Sequence, residues 1–287
     1  MMAELAKTDD ATAGQPQAFG AGAGMAPMPV VRQPPTGWAR VRRAADSFGD
    51  LFYIQFAAIR TGWQWFFLMS SVIPLGLLTF LKFVATTANT TTVLYYISGN
   101  VVISLMFNAL GMLSGQLSWA RQNKTFDFYA GLPVSRTVLI LAAVAVSVLF
   151  SLPGMVVLTL LGMWIFHLAL TPSPLVVVVL LLAPMALSGL GAVIGVLAPN
   201  QQVANVLSNL ALIVVMFLSP VLVRASALPG ILQVTARLLP PTYAADALRQ
   251  TLAGRVTMGV GIDLLVMLAF TVASLYVVTT KLDWRSR

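Results

Sequence analysis

The sequence predicts an all-α polytopic membrane protein, and three observations carry that reading. From Thr137 to Val223 the chain holds no Asp, Glu, Lys or Arg. Soluble helices need a polar face toward water, and this stretch offers only scattered serines, threonines, amides and one histidine. A crossing takes about 20 apolar residues, so the run holds roughly three of them. Hydrophobic residues make up 58% of the chain and charged residues 9%, against about 25% charged in soluble domains. The remaining charges fall between apolar segments of span length, where a membrane chain meets water.

The first 37 residues are rich in Ala, Gly and Pro and lack an apolar core of signal-peptide length. They are expected to form a disordered cytoplasmic tail, leaving the first span to direct insertion. The transmembrane domain is assigned to 38–287. From Arg40 to Arg60, Val41, Ala45, Phe48, Phe52, Phe56 and Ile59 recur at helical spacing, opposite Arg43, Asp46 and Asp50. This pattern predicts an amphipathic helix lying along the inner membrane surface.

Six spans follow, at about 62–84, 94–119, 137–166, 175–197, 203–223 and 258–280. Lys82 lies near the outer end of the first, where its side chain can snorkel to the headgroups. Between spans two and three lies the charged inner segment 121–136. Between spans five and six, 228–254 predicts two short amphipathic helices at the outer surface, broken at Pro240 and Pro241, the second capped by Thr242. Six spans put both termini on one side. Arg40, Arg42, Arg43, Arg60, Arg121, Lys124, Arg136, Lys281, Arg285 and Arg287 share that side, against Lys82, Arg224, Arg237, Arg249 and Arg255 opposite. The excess predicts cytoplasmic termini. It also accounts for the net charge of +8 without nucleic acid as a partner.

Two polar stripes interrupt the apolar spans. Asn100, Ser104 and Asn108 recur every four residues on the second span, beside Gly111 and Gly115; Gln201, Asn205, Ser208 and Asn209 open the fifth. Amides in lipid must find partners, so each stripe faces protein or a cavity. A tight helix interface and the wall of a translocation path or dimer seam both fit. Gly189, Gly191 and Gly195 on the fourth span permit close helix approach.

The inner segment sets Phe126, Asp127, Phe128 and Tyr129 among basic residues, a pattern that fits a docking surface or an interfacial anchor. His167, the single histidine, falls in an outer turn and reads as an interface residue. Asp263 is the one acid inside a span and reads as half of a local pair with an outer arginine. The chain has no cysteine and no G-x-x-x-x-G-K-[ST] loop. Thiolate sites and P-loop nucleotide binding are therefore absent from this sequence, and no metal cluster or hydrolytic triad is expected. The chain is not read as an enzyme.

Certain stretches resemble a known family. Ala130 to Arg136 (AGLPVSR), leading into a span, is similar to a TPVSR-like cytoplasmic segment. Leu218 to Val221 (LSPV), Ala227 to Gly230 (ALPG) and Leu239 to Arg249 (LPPTYAADALR) follow in the order of a second signature. Over roughly residues 40–287 the chain resembles the ABC-2 type permeases, the membrane half of bacterial ATP-binding-cassette exporters of the daunorubicin-resistance and polysaccharide-export kind. One departure is visible: Gln122, Asn123, Lys124 and Thr125 stand where the family often has a Glu-rich stretch followed by Gly-Thr.

The resemblance implies that 121–136 is a coupling helix seated in a separate ATPase subunit, with Phe126, Asp127, Phe128, Tyr129, Leu132, Pro133 and Arg136 at the contact. It implies that 228–254 forms outer re-entrant helices capping the path, with Pro241, Tyr243, Asp246 and Arg249 in the cap. It implies two permease chains, the same or homologous, and two ATPase chains in a bacterial inner membrane. No cofactor belongs to this chain on that reading; ATP and Mg sit on the ATPase. The complex would export a drug, lipid or glycan-like amphiphile by alternating access. A secondary transporter and a non-transporting scaffold are the rivals. The first usually keeps ionisable groups near the bilayer midplane, and this chain has almost none.

Overall fold

The computed structural model describes residues 37–60, 62–84, 89–131, 134–168, 170–219, 221–222 and 229–281. The N-terminal tail, Arg224, Leu132, Pro133 and the basic C-terminal tail lie outside them. Among the described residues the chain is helical and holds no strand. Its helices are α1 (Gly37–Arg60), α2 (Trp63–Val84), α3 (Thr90–Met106), α4 (Leu113–Gln122), α5 (Thr125–Ala130), α6 (Arg136–Phe166), α7 (Leu175–Leu197), α8 (Gln201–Leu218), α9 (Gly230–Ala236), α10 (Pro240–Leu252) and α11 (Met258–Lys281). A single π turn, Phe107–Met112, joins α3 to α4.

Five helical stretches are long and apolar enough to cross a membrane: Thr90–Gln122, Arg136–Phe166, Leu175–Leu197, Gln201–Leu218 and Met258–Lys281. The apolar part of α2, Ser71–Val84, is shorter. Where charge cannot mark a helix end, small polar caps do. The side-chain oxygens of Asn89, Ser135 and Asn200 accept the N–H groups of Thr92, Val138 and Val203 at 2.9, 3.3 and 2.8 Å, starting α3, α6 and α8. α6 ends at His167, an exposed residue held in the left-handed region at φ 49°. α8 stops at Leu218, short of the expected 223, because Ser219 precedes a proline and is held extended.

The α3–π–α4 stretch is the hub. In its most apolar window 83% of the residues are buried, against 17% for α11. Around it stand α2, α6, α7, α8 and α10, while α11 packs on α7 and α10. The central cluster joins Val102, Leu105, Met106 and Leu110 to Leu158, Leu187 and Leu248. Exposed Phe80, Phe83, Trp164, Leu181, Phe217 and Leu265 give the outer surface an apolar character suited to lipid.

Close approach comes from the α7 glycines, and their neighbours are the π turn, α4 and α11. A Cβ on Gly191 would stand 1.9 Å from the Ala109 carbonyl oxygen in the π turn, and one on Gly195 2.7 Å from that of Ser114; Gly189 abuts Ser274 of α11. Serine pairs fasten the same helices: Ser114 to Ser208 at 2.6 Å, joining α4 to α8, and Ser147 to Ser188 at 3.2 Å, joining α6 to α7.

The two ends of the bundle differ. At one end, α1 lies against α6, with Leu51 and Gln55 buried and Phe48, Phe52, Phe56 and Phe150 stacked in a row. At the same end Arg121 donates to the Val196 carbonyl at 2.7 Å. That contact satisfies the C-terminus of α7 and places a cation where the helix dipole favours one. At the other end α10 differs from the expected surface helix. It is sunk among α3, α7 and α11, with Ala244, Ala245, Ala247 and Leu248 buried. Small side chains explain it: an alanine-rich face lets the backbone enter the bundle. Thr242 is not its cap. The N-cap is Leu239, followed by Pro240 and Pro241, which need no N–H partner at the start of a helix. The Thr242 hydroxyl instead donates to the Ala236 carbonyl at 2.7 Å and meets Ser219 at 2.8 Å, tying α9 and the end of α8 to α10.

Candidate functional site: a cleft, a short helix and a plug

A cleft of about 520 Å³ lies between α1, α4, α5, α6 and the start of α8. Its apolar wall includes Ile54, Ala58, Ile59, Met112, Trp119, Phe126 and Ala143. The π turn shapes it. Gly111 is exposed in that turn, with nothing within 4 Å of where a Cβ would stand, so the cleft reaches the backbone of the hub there. A π turn inserts one extra residue per turn, and such turns recur at functional sites.

Among the described residues, the polar groups of the wall are side-chain amides, the Thr125 hydroxyl, the Tyr129 phenol and the Trp119 indole N–H, with no charged side chain. Gln55 Nε2 donates to the Leu139 carbonyl at 3.4 Å, and Gln116 Nε2 donates to Gln55 Oε1 at 3.5 Å. The Leu139 carbonyl can only accept, which orients both amides and leaves Gln116 Oε1 as a buried acceptor with no partner. Burial also pushes the Tyr129 phenol above its usual range, so that wall residue is neutral.

The two polar stripes end in different places. Gln201 and Asn205 line the cleft. Asn209 is exposed on α8, along a face with Val206, Leu210, Ile213 and Phe217. Asn100, Ser104 and Asn108 are buried within the hub and are not among the cleft's lining residues. The two asparagine amides donate one turn back along their own helix, Asn100 to Tyr96 at 2.8 Å and Asn108 to Ser104 at 3.2 Å.

Beside the cleft, α5 hangs between two turns. Lys124 adopts the left-handed region, at φ 55°, to reverse the chain after α4. Phe126 and Tyr129 point inward and are buried, whereas Phe128 is 68% exposed and Asp127 and Arg136 are exposed. The helical period separates these two sets: residues three apart share the anchored face, and the residue between them points away.

At the opposite end α10 forms a plug. Arg249, 9% exposed, stacks 3.5 Å from the centre of the Tyr95 ring on α3. Its guanidinium pairs with Asp246 and reaches the Val221 carbonyl beyond α8 at 3.4 Å. Tyr243 donates its hydroxyl to the Arg237 carbonyl at 2.6 Å, bracing α9 against α10; Pro241 is buried in the first turn. Asp263 accepts from the Gln250 amide of α10 at 3.4 Å and interacts electrostatically with Arg249 of that helix, an arginine partner as expected. Among the described residues, no group of three or more His, Asp or Glu is placed to hold a metal ion.

A membrane bundle with an uncharged cleft at one end and a helical plug at the other has the features of a transport protein. The family model described as ABC-2 type transporter matches residues 48–253, and the chain belongs to that family. It is a membrane permease subunit of an ABC transporter, a component for transport that is not itself catalytic and that associates with an ABC ATPase. No curated protein matches the chain. The matched region covers α5, the cleft and α10 alike. Sequence reasoning missed Gln55, Gln116 and Tyr95, which left no signal, and it placed Arg121 in the inner segment without its contact to the end of α7.

Proposed function

We propose that this permease exports an amphipathic substrate from the cytoplasm by alternating access, driven by a separate ATPase subunit that carries ATP and Mg. The observation that carries the reading is the division of α5 into an anchored and a projecting face. Phe126 and Tyr129 fix the helix to the bundle while Phe128 stands 68% exposed beside charged Asp127. A rigidly rooted, outward aromatic is the shape of an interface anchor. The ATPase seats α5, and its closure moves the wall of the cleft through Phe126 and Tyr129, which belong to both.

The working unit holds two permeases and two ATPases. The exposed α8 face around Asn209 supports a seam between permeases, because an amide among lipid-facing apolar residues is costly unless a partner covers it. The bundle sits in a bacterial inner membrane, α2 completes a sixth span, and both termini lie in the cytoplasm with α1 along the inner surface. Arg121, Lys124 and Arg136 at the α5 end support that orientation. The cleft then faces the cytoplasm while α9 and α10 close the outer end.

Purification of the full-length chain from its native membrane tests the proposal. An ATPase should co-purify and hydrolyse ATP in a vanadate-sensitive way, and charge reversal at Asp127 should uncouple hydrolysis from transport. Transport that persists without any ATPase, driven by an ion gradient, would overturn it.

A further inference from the structure

We propose that the cleft binds uncharged amphiphiles whose headgroup carries neighbouring hydroxyl or amide groups, and that the side-chain amides of Gln201 and Asn205 read that headgroup. The inference rests on the permease reading above and names the chemistry of its substrate.

The cleft volume of about 520 Å³ lies within the ~300–1,000 Å³ common to small-molecule sites. Its wall is mostly apolar, and among the described residues it carries no Asp, Glu, Lys, Arg or His. An ionic headgroup drawn in would lose its hydration and meet no countercharge, whereas a neutral polar group loses less. Groups that can replace its water sit along one edge, on the first two turns of α8. Gln201 and Asn205 are four residues apart on that helix, so their side chains share a face, and both line the cleft. The seating of α8 on α4 brings them there. Ser114 meets Ser208 at 2.6 Å, and Asn205 Oδ1 lies 3.5 Å from where a Cβ would stand on Gly115. The two helices therefore run antiparallel, which sets Gln201 level with Trp119, itself a cleft residue and 51% exposed.

These two amides are used differently from others on the same bundle. Asn100, Asn108 and Asn123 each donate to the carbonyl four residues back on their own helix. Asn205 is exposed and Gln201 half-buried, and neither has a hydrogen-bond partner among the described residues. Each therefore keeps donors and an acceptor open to a guest. A hydroxyl or amide on the guest both donates and accepts and can use both; an ether oxygen can use only the donors. The alkyl part of the guest would lie along Ile54, Ala58, Met112 and Phe126, with open space at Gly111.

The test uses the full-length chain as purified from its membrane, placed in lipid nanodiscs. Three photoactivatable probes share one alkyl chain with a mid-chain diazirine and an alkyne at the tail. Their headgroups are a 1,2-diol, its dimethyl ether and a carboxylate. Labelling of cleft peptides containing Ile54 and Met112 is normalised to labelling of the exposed Leu265–Leu268 face of α11, which reports partition into lipid. The diol should label the cleft about three- to tenfold more than the dimethyl ether, the range one net hydrogen bond supports. The carboxylate should label no better than the dimethyl ether. Gln201→Met with Asn205→Leu, which removes both amides, should bring the diol down to that level. Equal cleft labelling by diol and dimethyl ether in the unaltered chain would overturn the proposal, and that comparison needs no variant to fold. Carboxylate labelling equal to the diol's would overturn it too. So would a diol preference that survives the double substitution; if the same variant then loses its permease dimer, the two amides belong to the seam. Labelling needs no ATP, so failure here is separable from failure of ATPase coupling.

Discussion

The guanidinium of Arg249 on α10 lies 3.5 Å from the centre of the Tyr95 ring on α3, and this contact fastens the plug to the hub. A desolvated cation over an aromatic face contributes about 2 kcal/mol. Tyr95→Leu should therefore lower the thermal stability of the purified protein by about that amount, while Tyr95→Phe keeps most of it. Arg249→Lys should resemble Tyr95→Leu, because an ammonium cannot lie flat on a ring and pair with Asp246 in the same fork. Thermal unfolding in detergent reads all three. Equal melting of Tyr95→Leu and the unaltered protein would remove the latch.

Phe126 and Phe128 sit two residues apart on α5 and should respond in opposite ways. Phe126 is 5% exposed, and Phe126→Ala should cost about 3–5 kcal/mol as a core truncation. Phe128→Ala should stay within about 0.5 kcal/mol of the unaltered protein, as exposed positions do. On the proposed function, Phe128→Ala nevertheless lowers substrate-stimulated ATP hydrolysis. The paired measurement is melting temperature against coupled ATPase activity. A Phe128→Ala protein with full coupling would move the ATPase contact off this residue.

Arg121 offers a smaller test. Its hydrogen bond to Val196 satisfies a carbonyl that the end of α7 leaves open. Arg121→Ala should destabilise by about 1–2 kcal/mol, and Arg121→Lys by less, as measured by the same melts. The cost should persist in high salt if the bond is shielded by the bundle, and shrink if water screens it.

Much of the fold was legible because lipid and the helix period both write on the sequence. Spans three and four fall within one residue of their helices, Arg136–Phe166 and Leu175–Leu197, since apolar length and the Ser135 cap are local signals. The depth of α10 was hidden. Ala244, Ala245 and Ala247 are weakly apolar, so a helix that enters the bundle reads as one that lies on it. Apolar period also cannot say whether a face meets lipid or protein, which is why the α7 glycines could not be matched to the π turn and α11. The cleft was hidden for another reason: a π turn leaves no compositional mark, and Gln55 and Gln116 come from helices far apart in the chain.

Gly191 and Gly111 turn that lesson into a last prediction. Both are glycines in apolar helices, and the sequence does not distinguish them. A Cβ at Gly191 would stand 1.9 Å from the Ala109 carbonyl, a rigid backbone atom that cannot swing aside. Gly191→Ala must push α7 from the hub and should cost about 1–3 kcal/mol or more, as overpacking does. A Cβ at Gly111 meets nothing within 4 Å, so Gly111→Leu should leave stability within about 1 kcal/mol, the helix propensity gained over glycine offsetting some loss. Its side chain would enter the cleft beside Met112 and Gly115 and occupy space a substrate needs. Transport should fall while the fold and basal ATP hydrolysis remain. Melting curves and substrate efflux from vesicles separate the cases: Gly191→Ala lowers the first, Gly111→Leu only the second. Full efflux with Gly111→Leu would mean that substrate takes a route outside this cleft.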